Sequence, residues 1–298
     1  MSVENKKATT IDEQVQILQE RGMVIDDEKK LKEHLLDIGY YRLGFYWFPF
    51  EKTYPRLSKR DHNFKEGTNV DYAIKLYYFD FDLRNIFMRY ISRIEINFRT
   101  KLIYYVSNEY PDNPFWYIDE KLFKKGTFEN DIYQKALRDV ANESVIKKDK
   151  SNHGNRDFAP AWKALEYMSF GAIILLYENL LNNNLKCRIS NEYGISSPNQ
   201  FQDYINTVRR LRNSSAHGKV LYDQNLPQAI GNGPLGNLGN RKTTLAGAYM
   251  VFKYFLNKIS ENRVTEMRTE IIKAFDRVSY AAVKDIIVNN SGLSSGII

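Results

Sequence analysis

Cysteine is all but missing from this sequence: Cys187 is the only one in 298 residues. A lone thiol closes no internal disulfide and builds no cysteine-based zinc site. The expected compartment is therefore the reducing cytosol. Long apolar runs are missing as well. The longest, residues 170–177, falls far short of the roughly 20 residues needed to cross a bilayer, so no membrane association is expected. The opening MSVENKKATT has no apolar stretch of the kind a signal peptide needs, and none is read there. Histidine is scarce, with 4 copies. Of these, His34, His62 and His153 stand at no metal-ligand spacing and read as surface residues. No metal or other cofactor is expected. Internal repeats and strand-rich stretches are absent too.

What is present is globular in kind: 43% hydrophobic and 27% charged residues, in a chain long enough to bury a sizeable core. The net charge of +7 favours an anionic partner, of which nucleic acid is the commonest. Tyrosine (21) outnumbers phenylalanine (17), which implies many rings with a buried body and a wet tip.

Apolar residues recur at helical spacing over 10–22 and 26–38, each run stopped by a glycine. The aromatic stretch GYYRLGFYWFPF (39–50), broken by glycines and closed by Pro49, is expected to be an extended or turn segment packed on the helical body. Residues 71–106 read as one long helix with Leu83, Phe87, Tyr90, Ile91, Ile94, Phe98, Leu102 and Tyr105 on its buried face. Glu95 stands four residues before Arg99, the favourable order for a helical ion pair. Further helices are expected over 128–141, 160–181 (carrying Trp162, Leu165 and Met168, with a kink at 169–171), 198 onward, 243–259 and 264–287. Ser197-Pro198-Asn199-Gln200 has the form of a helix start. The stretches 147–157 and 231–240 read as loops, the second the most flexible of the chain. The fold class is all-α. One domain is expected, with an N-terminal helical and aromatic extension (1–69), a helical core (70–288) and a frayed tail (289–298).

The chemistry centres on Arg212-Asn213-Ser214-Ser215-Ala216-His217, the pattern R-N-x-x-x-H. Arg212 follows Ile205 and Val208 on the apolar face, where an unpaired charge is costly. Its partner is either an anionic phosphate or a carboxylate such as Glu95 or Glu166. On a continuous helix the step from Arg212 to His217 turns about 500°, leaving the two side chains about 140° apart. Either the helix distorts or ends near Asn213–Ser215, with Gly218 as a natural stop, or two copies of the motif meet across a two-fold axis. Histidine exchanges protons near neutrality, and arginine stays charged and clamps a phosphate as negative charge develops. Together they suit scission of RNA through the neighbouring 2′-hydroxyl. The products would end in a 2′,3′-cyclic phosphate or its hydrolysed form. An R-x4-H match on its own is weak; a helix-end histidine beside a structural arginine gives the same pattern.

Four segments add weight: LLDIGYYRLGFYWFPF (35–50), YYFDFDLRNIFMRYISRIEINFRTKLIYYVS (77–107), PAWKALEYMSFGAIILLYENLL (160–181) and LRNSSAHGKVLYD (211–223). In content and order they resemble the Abi-like (abortive-infection) family, the AbiD/AbiF group of bacterial phage-defence proteins. The resemblance implies a HEPN-like helical bundle whose R-x4-H element forms a composite ribonuclease site in a homodimer, with Arg212, Asn213 and His217 as catalytic residues. Glu95, Arg99 and Glu166 fall in family motifs. They either orient the catalytic pair and shape the RNA groove or form a structural ion-pair network. The resemblance further implies a toxin with RNA as substrate and an antitoxin, RNA or protein, as restraint. Arg89, Arg93, Lys101, Arg209, Arg210 and Lys219 are candidates to track an RNA backbone. Two readings compete with the nuclease: a non-catalytic RNA-binding helical module of a defence complex, and a helical protein-interaction component.

Overall fold

The structure, a computed structural model, describes residues 7–154 and 157–298. Among them lie thirteen α-helices, five short 3-10 turns and isolated β-bridges, with no strand. No helix among the described residues is long and apolar enough to cross a membrane. The chain divides into two compact units.

The first unit comprises the described residues up to Arg84, together with Val220–Gln224 and Glu270–Ile298. Helix α1 (Ile11–Glu20) starts at a reciprocal capping box between Thr10 and Glu13 and buries Val15 and Leu18. Helix α2 (Glu28–Asp37) starts where Asp27 accepts the Lys30 N–H at 2.9 Å. The aromatic segment is not extended: residues Tyr40–Trp47 form helix α3, continued by a 3-10 turn through Pro49. Burial of Leu43, Tyr46 and Trp47 along one face outweighs the poor helix propensity that favoured an extended reading. Helix α4 (Val70–Glu109) contributes its residues up to Arg84 to this unit and the remainder to the other.

At the centre of the first unit Asp80 is wholly buried. Its Oδ1 accepts the N–H groups of Leu221 and Tyr222 at 2.9 and 2.8 Å. Its Oδ2 accepts the Tyr46 hydroxyl at 2.9 Å and the Arg84 guanidinium. The segment that follows the R-x4-H element is thus held by a charged acceptor. Asp80→Asn keeps one acceptor but turns an amide N–H toward these donors. We expect it to cost about 2 kcal/mol in urea unfolding, with little change in the slope of the transition.

The second unit comprises Asn85–Lys219 and Asn225–Thr269. The rest of α4 buries Phe87, Ile91, Ile94, Phe98 and Leu102. Val106 continues this face, while Tyr105, expected on it, turns its hydroxyl to Glu192 at 2.6 Å. Helices α5 (Asp131–Asn142) and α6 (Ser144–Asn152) follow, so part of the expected polar loop 147–157 is helical; its residues 155–156 lie outside the described residues. The helix expected over 160–181 is broken rather than kinked. Helix α7 (Ala161–Ala164) passes into a 3-10 turn, the chain extends at Met168, and Ser169 caps a new helix, α8 (Phe170–Asn179). Helix α9 (Asn183–Asn191) has no counterpart in the sequence reading. Helix α10 (Pro198–Ala216) begins where Ser197 accepts the Gln200 N–H, as its start pattern predicts, and packs against α8, α9 and α11 (Leu245–Ile259). Rings of Phe98, Tyr177, Tyr193, Phe201 and Phe255 meet edge-on or tilted in the core between these helices.

The glycine-rich loop is anchored rather than free. Gly231 donates its N–H to Asp203 at 2.6 Å, and a Cβ on Gly233 would stand 2.6 Å from the Tyr204 ring. The stretch expected as one helix over 264–287 is two, α12 (Glu261–Asp276) and α13 (Ala281–Ser291). The tail is not frayed: Gly292 turns left-handed at φ +71°, and Leu293 and Ile298 are buried.

Candidate active site

All six residues placed in or beside the catalytic element lie in the second unit, on α4, α7 with its 3-10 turn, and α10. Helix α10 runs unbroken through Asn213, Ser214 and Ser215 to Ala216. Ser215 returns its hydroxyl to the Leu211 carbonyl at 2.9 Å, a local bond that satisfies the group without ending the helix. The stop comes at His217, whose N–H still donates to the Asn213 carbonyl at 3.0 Å. Gly218 then adopts φ +64°, and the Gly218 and Lys219 N–H groups bond back to the Ser215 and Ser214 carbonyls. This pair of bonds is the Schellman arrangement, which needs a residue free to turn left-handed, here glycine.

Because the helix is regular to its end, the splay of about 140° between Arg212 and His217 persists. Arg212 turns toward α4, where its Nε donates to Glu95 Oε1 at 2.9 Å. Of the partners considered for it, the structure supplies the carboxylate of Glu95. Only the Nε–H is used. The η nitrogens of Arg212 have no protein acceptor among the described residues, and the side chain is one-third exposed (33%). An arginine held by Nε presents its outer fork, the geometry that grips two oxygens of a phosphate.

His217 is exposed, and its ring makes no hydrogen bond or ion pair among the described residues. Asn213, also exposed, precedes it by four residues and shares its stripe of α10. The structure therefore brings Asn213 and His217 together at the solvent-facing end of α10 and sets Arg212 with Glu95 on another side.

Glu95 and Arg99 do not pair along α4 as their spacing predicts. Glu95 is taken by Arg212, while Arg99 donates to the Met168 carbonyl at 2.9 Å and lies 3.7 Å from Glu166. Removing Glu95 would strip a half-buried guanidinium of its carboxylate. We expect Glu95→Ala to destabilise the protein by about 1–2 kcal/mol in chemical unfolding, between the values for exposed and buried pairs.

The six basic candidates separate. Arg89 and Arg93 are exposed on α4, and Lys219 is exposed just beyond α10. Lys101 is engaged: it pairs with Glu192 at 3.0 Å and lies over the Tyr193 ring. The Tyr105 hydroxyl and this ammonium hold the Glu192 carboxyl below the usual carboxylate range. Arg210 donates to Gln228. Arg209 packs beside Gly171 and forms no ion pair among the described residues. The remaining histidines stand apart: His62 and His153 lie 3.5 Å from Glu51 and Asp149, and His34 lines a small cavity of about 100 Å³.

Of the apolar residues expected on the 160–181 helix, Trp162 is half exposed (50%) while Leu165 and Met168 are buried. The residues that turn inward are Ala161, Ala164, Leu165 and Met168. That set has the better helical spacing, and the small alanines disguised it.

A protein-family model described as "Abi-like protein" matches residues 33–223, more than half of the chain, and takes in Glu95, Arg99, Glu166 and the whole element from Arg212 to His217. No match was found among curated proteins or solved structures.

Proposed function

This chain belongs to the Abi-like protein family, whose name points to abortive-infection defence, and from that premise we propose that it is a metal-independent endoribonuclease of the HEPN kind. The observation that carries the reading is the divided state of Arg212: its Nε is fixed by Glu95 and its outer fork is open. That fork binds the scissile phosphate and stabilises the charge that builds on its oxygens. The 2′-oxygen attacks phosphorus, the bond from phosphorus to the 5′-oxygen breaks, and His217 accepts the 2′-hydroxyl proton. The departing 5′-oxygen takes its proton from solvent. Asn213, on the stripe of His217, hydrogen-bonds the same nucleotide.

One chain presents the two groups about 140° apart, so the working site takes Arg212 from one copy and His217 from a second, related by a two-fold axis. Glu95 is a positioning residue for Arg212 in this scheme.

The test uses the purified protein with EDTA, an RNA oligomer and the same oligomer with 2′-deoxyribose throughout. Cleavage of RNA to 2′,3′-cyclic phosphate ends, with the deoxy oligomer intact, is the expected result. Cleavage of both, or loss of activity in EDTA, overturns the mechanism. RNA bound tightly but never cut would instead favour the non-catalytic binding module.

A further inference from the structure

On α7 and the 3-10 turn that follows it lies a ledge on which two rings face solvent without a partner among the described residues. Trp162 is 50% and Tyr167 40% exposed, whereas the other tryptophans, Trp47 and Trp116, are buried. Neither ledge ring makes a ring contact or side-chain hydrogen bond among the described residues. They flank Glu166, which reaches Arg99 only at 3.7 Å and is itself half exposed. Arg99 stands one helical turn beyond Glu95 and donates to the Met168 carbonyl, directly after Tyr167. Arg209, one turn before Arg212 on α10, lies along Gly171 at the start of α8. The Nε atoms of Arg99 and Arg209 are buried without an acceptor. Arg99 thus stands against the turn that carries Tyr167, with Glu166 as a loosely held counter-charge, and Arg209 lies at the start of the helix that follows.

We propose that this ledge holds an unpaired nucleotide of the RNA substrate next to the cleaved phosphate, its base against Trp162 and Tyr167 and its phosphate on Arg209 and Arg99. The inference rests on the ribonuclease reading for the identity of the ligand, and it adds that the substrate is single-stranded. Aromatic faces stack any exposed base, and a duplex hides those faces. The excess of guanidinium over carboxylate favours a polyanion over an apolar protein surface.

The experiment uses the full-length His217→Ala protein, so that RNA stays intact, and a fluorescent oligo(U). Trp162→Ala and Tyr167→Ala, added singly, are expected to weaken binding roughly 5- to 100-fold. Trp162→Phe restores affinity while removing the tryptophan quenching that oligo(U) produces. Arg209→Gln lowers the salt dependence of binding by about one charge. Unchanged affinity in both alanine variants overturns the proposal. So does a duplex that binds as tightly as oligo(U), or no binding of oligo(U) at all. Loss of self-association with RNA binding intact marks a protein interface and overturns it too. The two readings fail separately: a wild type that never cuts RNA, with binding that still depends on Trp162, sinks the nuclease and leaves the ledge standing. Active cleavage with the ledge variants unaffected does the reverse.

Discussion

Replacing His217 by alanine is expected to slow RNA cleavage by about 10²–10⁴-fold, the usual worth of a positioned proton-transfer group, while the fold stays as it was. The separation follows from where the residue sits. Its ring is exposed and bonds to nothing among the described residues, so no packing is lost. Its structural duty is done by backbone: the N–H closes α10 on Asn213, and φ −90° with ψ 12° suits alanine as well as histidine. The left-handed turn belongs to Gly218. Unfolding free energy should change by less than about 0.5 kcal/mol, as for surface substitutions away from such features. Single-turnover cleavage of an end-labelled RNA and urea unfolding of the same preparation measure both quantities. Equal rates for wild type and variant would end the assignment of His217. Arg212 is a less clean probe, because its removal also leaves Glu95 half-buried without its cation.

Much of this arrangement was legible in the residues. The long apolar period of α4, the start of α10 at Ser197 and the stop at Gly218 depend on local chemistry, and local chemistry can be read from spacing. What escaped depends on contacts between distant segments. Helix α3 forms because Leu43, Tyr46 and Trp47 find a core, which its glycines and aromatics alone do not announce. Glu95 has two arginines within plausible reach, one along its helix and one on α10; sequence spacing favours the first and tertiary packing gives it to the second. The break at Met168–Ser169 escaped because a 3-10 turn after Ala164 ends the helix that the apolar spacing continues, and the exposure of Trp162 because small alanines hold the inner face. The R-x4-H element shows the converse. Its spacing left a helix that distorts or ends, or two copies, as ways to unite the groups; the helix runs undistorted to Ala216 and ends at His217.

That leaves a sharper consequence. Arg212→Ala and His217→Ala chains, each inactive alone, should regain activity when co-expressed or refolded together, to about one quarter of the wild-type level, since half the dimers are mixed and each mixed dimer has one intact site. The reason is geometric. Arg212 is tethered toward α4 by Glu95, and His217 leaves the end of α10 about 140° away, so the proposed site draws the two groups from different copies. A site built within a single chain predicts the opposite, because every chain in the mixture then lacks one group. A chain carrying both substitutions gives a second, independent reading. Paired with wild type, it has no intact composite site in either half of the dimer, so an excess should suppress cleavage almost completely. Were each chain to work alone, the wild-type half would keep its activity at any ratio.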